Sequence, residues 1–156
     1  MKNLMVNLRK TLNLVIPFIL FSSAVSANVD KETECLALNV YHESRGETDK
    51  GKIAVAYTTL NRVEHNYFPD TFCEVVWQPS QFSWTNDGHS DDIKNQEVWL
   101  EILQLVELVI NKEINDPTEG ALFFHNKDIN PPGWADSMEL SLDEGNHLFY
   151  VWDGKW

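Results

Sequence analysis

The sequence predicts an α+β domain that is mostly helical and carries a small β element. Three features of the chain lead to that class. Apolar residues recur at three-four spacing in several stretches before residue 116, the signature of helices with one buried face. Beyond residue 116 the pattern changes to two short apolar runs, Ala121 to Phe124 and His147 to Val151, which read as strands. Between them lies the turn Asn130-Pro131-Pro132-Gly133-Trp134.

The elements follow in order. Cys35, Leu36, Leu38 and Val40 define a first helix from Glu32 to Ser44, with Gly46 positioned to end it in the left-handed conformation. Thr48 or Asp49 caps a second helix, whose Ile53, Ala56, Tyr57, Leu60 and Val63 form the face that packs on the first. Asn66 to Pro69 breaks the pattern, Asp70 to Val76 reads as a short helix, and Gln78 to Gly88 as a polar and aromatic loop or small hairpin. A long helix is predicted from Asp92 to Asn115. Trp99, Ile102, Leu103, Val106 and Ile110 share one face of it, Asp91 and Asp92 stand near its start, and Pro117 lies beyond its end.

The first residues read as an export signal: Lys2, Arg9 and Lys10, then apolar Leu12 to Phe21, then small residues ending in Val25-Ser26-Ala27. Cleavage after Ala27 leaves 28–156 as one domain by length. The apolar stretch falls short of the roughly 20 residues that span a bilayer, which argues against a retained membrane anchor. All the acidic residues follow the signal while three basic ones precede its cleavage point, so the remaining chain is more negative than the formal −12 of the whole. That balance argues against nucleic acid, whose affinity comes from basic groups meeting phosphates. The two cysteines, Cys35 and Cys73, fall after the signal and enter an oxidising compartment, which predicts a disulfide. It closes a loop worth about 4 kcal/mol by chain entropy.

Glu43, in Tyr41-His42-Glu43-Ser44-Arg45-Gly46-Glu47, stands where the first helix stops. A glycoside-cleaving acid needs a carboxyl group beside apolar residues, because an ordinary glutamate is only about 0.2% protonated at pH 7. Burial that raises its pKa to about 6 lifts the fraction to roughly 9%. Tyr41, Phe82, Trp84 and Trp134 are candidate neighbours, if the later loops fold over the first helix. His42-Glu43 begins like the zinc motif His-Glu-x-x-His, but Gly46 stands where the second histidine belongs, and no metal site is predicted. A bridged Cys35 or Cys73 cannot act as a nucleophile. In Gln78 to Trp84, hydrogen-bonding Gln81 and Ser83 alternate with Phe82 and Trp84, a mixture that suits either a saccharide groove or a packed turn. His125, Asn126 and Trp134 carry the same two readings.

Several segments together resemble one family. Glu34 to Arg62, ECLALNVYHESRGETDKGKIAVAYTTLNR, is similar to the opening of the SleB-type cell-wall hydrolases. FPDTFCEVVWQPSQFSW from Phe68, DPTEGALFFHN from Asp116, and the end from Trp134 through Asn146-His147-Leu148-Phe149-Tyr150 resemble its later blocks in order. The resemblance implies a lysozyme-like, lytic transglycosylase-like fold acting on peptidoglycan glycan strands, at the β-1,4 bond between N-acetylmuramic acid and N-acetylglucosamine. It implies that Glu43 is the catalytic acid; no cofactor is expected. Gln81, Phe82, Ser83, Trp84, His125, Asn126 and Trp134 are assigned to the groove by type and position. Glu47 is expected to be structural. With no wall-binding repeat ahead of the domain, the expectation is an exported monomer of the periplasm or cell envelope rather than a dedicated spore-cortex enzyme.

Overall fold

The computed structural model describes residues 29–154. The predicted export signal and its predicted cleavage point lie outside the described residues. Four α-helices precede a three-stranded antiparallel sheet: α1 (Lys31–Ser44), α2 (Asp49–Val63), α3 (Phe72–Val76), α4 (Gln96–Ile110), β1 (Phe123–Asn126), β2 (Glu139–Glu144) and β3 (His147–Val151). Short 3₁₀ turns occupy Ser83–Asn86 and Ala135–Ser137. No helix among the described residues is long and apolar enough to cross a membrane.

Asp30 caps α1 by accepting the Glu32 and Thr33 N–H groups, and Thr48 caps α2 through the Gly51 N–H. Gly46 does not adopt the left-handed conformation expected of it. Arg45, still right-handed, closes α1, and a Glu47 N–H to Ser44 carbonyl bond of 2.9 Å turns the chain. The helix from Asp92 to Asn115 is shorter than predicted at both ends. Its cap is Asn95, whose side chain accepts from Glu97 and Val98 N–H, while the Tyr41 hydroxyl accepts from the Lys94 and Asn95 N–H groups at 3.2 and 3.0 Å. Asp91 and Asp92 therefore precede the helix, and Glu97 is the acid in its first turn.

Leu36, Ala37 and Val40 of α1, Ala54, Val55, Ala56 and Leu60 of α2, and Ile102, Val106 and Val109 of α4 form the main core with Phe149 of β3. A smaller cluster of Val76, Phe82 and Trp84 packs beside it with Leu38 and Phe124. Asn39, fully buried, joins the two clusters: its amide donates to Thr59 Oγ1, and its carbonyl accepts from the Trp84 indole, both at 3.1 Å. Buried polar groups of this kind persist because each is paired. The predicted disulfide is present, joining Cys35 on α1 to Cys73 on α3.

The sheet order is β1-β3-β2. β3 matches its predicted span, β1 runs two residues later than Ala121 to Phe124, and β2 was not predicted. β2 forms an edge, is rich in acids and has no fully buried residue, with a register shift between Leu140 and Leu142. Its turn into β3 presses on the α1–α2 connection. Gly145 has φ +55°, and a Cβ there would lie 1.8 Å from Glu47 Oε2. The Glu47 carboxylate accepts the Asn146 N–H at 3.2 Å, and the Thr48 hydroxyl donates to Glu144 Oε1 at 2.9 Å.

Candidate active site

The α1 C-terminus, the loop through residues 79–86, the β1 end with its following turn, and the start of β3 enclose one cavity of about 850 Å³. Glu43, Gln81, Phe82, Ser83, Trp84, His125, Asn126 and Trp134 all line it. The structure thus brings together every groove residue named from the sequence. Tyr41 is the exception among the candidate neighbours of Glu43. Its ring packs on Trp99 and its hydroxyl holds the start of α4, so it faces the core, not the cavity.

Glu43 is the sole carboxyl side chain among the described residues lining the cavity. Burial pushes its pKa up to about 7, against an opposing pull from the Arg62 guanidinium. That is higher than the value of about 6 considered from sequence, and leaves about half the groups protonated at pH 7. Glu47 is not among the residues lining the cavity, and its carboxylate accepts an N–H from the β2–β3 turn.

Arg62, near the C-terminus of α2, is a cavity residue that sequence reasoning missed. It is buried, with Nε donating to the Leu122 carbonyl at 2.7 Å and Nη1 to Gln81 Oε1 at 2.9 Å. The Phe68, Phe82 and Phe123 rings surround its guanidinium at 5.3–5.5 Å. Burial lowers its pKa to about 10, partly offset by Glu43, so the group stays cationic at neutral pH. A signal for it existed: Val55, Thr58, Thr59 and Arg62 share three-four spacing and are all buried, whereas Ile53 and Val63 of the face named from sequence are only half-buried.

His42 and His147 also line the cavity and were not assigned to it. His42 stacks on Trp84 at 4.5 Å, and His147 meets the Phe124 ring edge-on at 5.3 Å. Burial lowers both pKa values, which favours neutral imidazole, and His42 Nε2 and His147 Nδ1 are buried without a hydrogen-bond partner. Other polar groups are already engaged. His125 bonds the Asn126 carbonyl and the Tyr150 hydroxyl through its two ring nitrogens, at 2.9 and 3.0 Å. The Trp84 indole is committed to Asn39 and the Gln81 carbonyl to Arg62. These three therefore shape the walls. The half-buried Trp134 presents ring surface, and Ser83 has an exposed side chain at the cavity rim.

Residues 46–150 match the cell wall hydrolase family. The chain belongs to that family. It is 32% identical over 120 residues to a spore cortex-lytic enzyme of Oceanobacillus iheyensis, covering 76% of this chain and 41% of that protein. A spore cortex-lytic enzyme of Bacillus subtilis is 29% identical over 133 residues, 81% of this chain and 41% of the relative. The chain thus spans about two fifths of the length of these curated relatives. Among solved structures, it is similar to the catalytic domain of the germination-specific lytic transglycosylase SleB from Bacillus anthracis. The TM-score is 0.66 at 31% identity, over 81% of this chain and 100% of that one. The Bacillus cereus SleB catalytic domain gives 0.62 at 30%, over 80% and 94%. The mostly helical fold with a small sheet is therefore shared with the SleB catalytic domains. The family match begins at Gly46, just past the helix end that carries Glu43.

Proposed function

We propose that this chain is an exported, monomeric enzyme of the cell envelope that cleaves peptidoglycan glycan strands. Its bond is the β-1,4 link from N-acetylmuramic acid to N-acetylglucosamine, broken by lytic transglycosylation. One observation carries the reading: a single carboxyl group, half-buried and with its pKa raised to about 7 by desolvation, lies in an open cavity with aromatic and hydrogen-bonding walls. Hydrolysis with two carboxylates facing each other across the bond needs a second acid. The cavity lining supplies none among the described residues.

In the proposed reaction, protonated Glu43 gives its proton to the glycosidic oxygen as the bond from that oxygen to the muramic C1 breaks. The muramic N-acetyl group helps stabilise the cationic centre. The C6 hydroxyl oxygen of the same sugar then bonds to C1, closing a 1,6-anhydro ring, and its proton returns to Glu43. The acid is regenerated, and neither water nor a cofactor is consumed. A pKa near ambient pH suits a group that must first give and then take a proton. Trp134 offers a face for the apolar side of a sugar, Ser83 and Asn126 offer hydrogen-bonding groups, and Phe82, Trp84, His125 and Gln81 hold the groove in shape.

The test is digestion of purified peptidoglycan by the protein and by Glu43→Gln, with released muropeptides weighed by mass spectrometry. The reading expects anhydro-muramyl products that vanish in the variant. Reducing muramyl ends, one water heavier, would reassign the chain to the hydrolytic muramidases. Glycan bound but left intact by both proteins would make it a wall-binding module.

A further inference from the structure

The groove's Trp134 is the first ring of an aromatic path that leaves the cavity. Trp134 meets Phe123 at 5.4 Å, Phe123 meets Phe68 at 6.1 Å, Phe68 meets His65 at 5.9 Å, and His65 meets Tyr67 at 5.4 Å. All of these rings except Tyr67 are half-buried, and Tyr67 is 70% exposed. The path is continuous with the cavity from below as well, because the Arg62 guanidinium lies against both Phe68 and Phe123.

An exposed tyrosine on a loop is ordinarily free to turn. Tyr67 is held. Its ring stacks on His65 at an interplanar angle of 26°, the edge of Trp152 abuts it at 5.1 Å, and its N–H donates to His65 Nδ1 at 3.3 Å. His65 is fixed in turn by its N–H bond to the Arg62 carbonyl, at 2.9 Å. A large ring kept in one orientation at the surface loses little freedom when a flat apolar partner stacks on it.

We propose that Tyr67, buttressed by His65 and Trp152, is a second saccharide platform, binding sugar units of the same glycan strand several residues away from the bond being cleaved. The inference rests on the glycan reading of the cavity. Its chemistry is stacking of a pyranose face on an aromatic ring, and no ionic contact is needed, which suits a strongly acidic protein. Such a platform adds affinity for long strands by holding a polymer at two linked points.

The experiment uses the full chain carrying Glu43→Gln, so that binding is read without turnover. Sedimentation with insoluble peptidoglycan sacculi gives an apparent Kd for this parent, for Tyr67→Ala and for Tyr67→Phe on the same background. In the Glu43-intact protein, the rate on sacculi is compared with the rate on a soluble fragment of two disaccharides. Tyr67→Ala is expected to weaken sacculus binding roughly tenfold, the order expected for one lost stacked ring. Tyr67→Phe should bind as the parent does, and cleavage of the short fragment should be unchanged by either substitution. Parent-like binding by Tyr67→Ala would overturn the platform while leaving the cavity reading intact. Equal losses on sacculi and fragment would also overturn it, by making the ring a support for the cavity. So would a Tyr67-dependent dimer in sedimentation velocity, since a second copy would then cover the ring. Failure of the parent itself to bind sacculi would sink both the platform and the glycan reading.

Discussion

Glu43 and Glu47 are the same residue type four positions apart, and the structure gives them opposite surroundings. Glu43 ends α1 facing a cavity with aromatic walls, with a buried guanidinium as its charged neighbour, and its pKa rises to about 7. Glu47 lies past the helix end and accepts a backbone N–H from the β2–β3 turn, so close to Gly145 that no side chain fits there. The difference teaches that the proposed acid is made by desolvation, while the second carboxylate is spent on holding a turn. Both glutamates belong to one motif, and the fold places one at the cavity and the other against a turn.

The largest expected effect separates the two directly. Glu43→Gln should lower glycan cleavage by roughly a thousandfold or more, within the range that general acid catalysis contributes and beyond it if no other group substitutes. Wild-type turnover should also fall as pH rises through about 7, since the acid form is then lost. The same substitution bears on stability. Because the folded pKa lies above the unfolded value of 4.5, the folded protein holds a proton that the unfolded chain releases. Glu43 therefore costs stability progressively between those values. The variant should be more stable than wild type at pH 8, by at most ~3 kcal/mol, and by little at pH 4, as read by denaturant unfolding at the two pH values.

Removing the cation sharpens the contrast from the other side. Arg62→Leu strands the Leu122 carbonyl and the Gln81 side chain, and should destabilise the protein by about 2–3 kcal/mol in chemical denaturation. Where it folds, the alkaline limb of its activity profile should move upward, because the guanidinium no longer favours the Glu43 carboxylate. Arg62→Lys keeps the charge and should restore much of the limb's position without restoring both hydrogen bonds. An unmoved limb in Arg62→Leu would detach Arg62 from the acid.

Breaking the disulfide loosens the anchor of α1, the helix that carries Glu43 and leads to Glu47. Replacing Cys35 and Cys73 by serine should cost about 2–4 kcal/mol in a thermal or denaturant melt, and should leave the pH profile of the folded protein unchanged. The smallest effect is expected for Glu47→Ala. Loss of one turn contact should cost about 1 kcal/mol, with specific activity of the folded protein near wild type. A loss of activity comparable to that of Glu43→Gln would erase the distinction between the two residues.

Much of this arrangement was legible in the sequence, for reasons that differ from element to element. α1 and α2 have local signals that agree with their packing, down to the Thr48 cap, and β3 is a short apolar run bounded by Gly145-Asn146. β2 escaped because an acidic edge strand has no buried face to give it a period. α4 was drawn too long at its start because Asp92, Lys94 and Asn95 suit a helix start, while the Tyr41 hydroxyl, from another element, takes two of the amides there. In the site, residue types pointed to the groove, and ordered family-like blocks pointed to Glu43. Arg62 was hidden because a charged residue near a helix end reads as solvated. Its burial depends on three phenylalanines from three later segments and on a carbonyl sixty residues away. The commitment of the His125 nitrogens to Tyr150 and to a backbone carbonyl is likewise a property of sheet register, which periodicity alone does not give.

The claim that burial makes Glu43 an acid at neutral pH is tested most directly by titrating its side-chain carboxyl carbon by NMR in the intact protein, with Glu43→Gln identifying the resonance. The account predicts a midpoint near 7. A midpoint near the ordinary glutamate value of about 4.3 would contradict it, leaving Glu43 ionised at the pH where it is required to donate a proton.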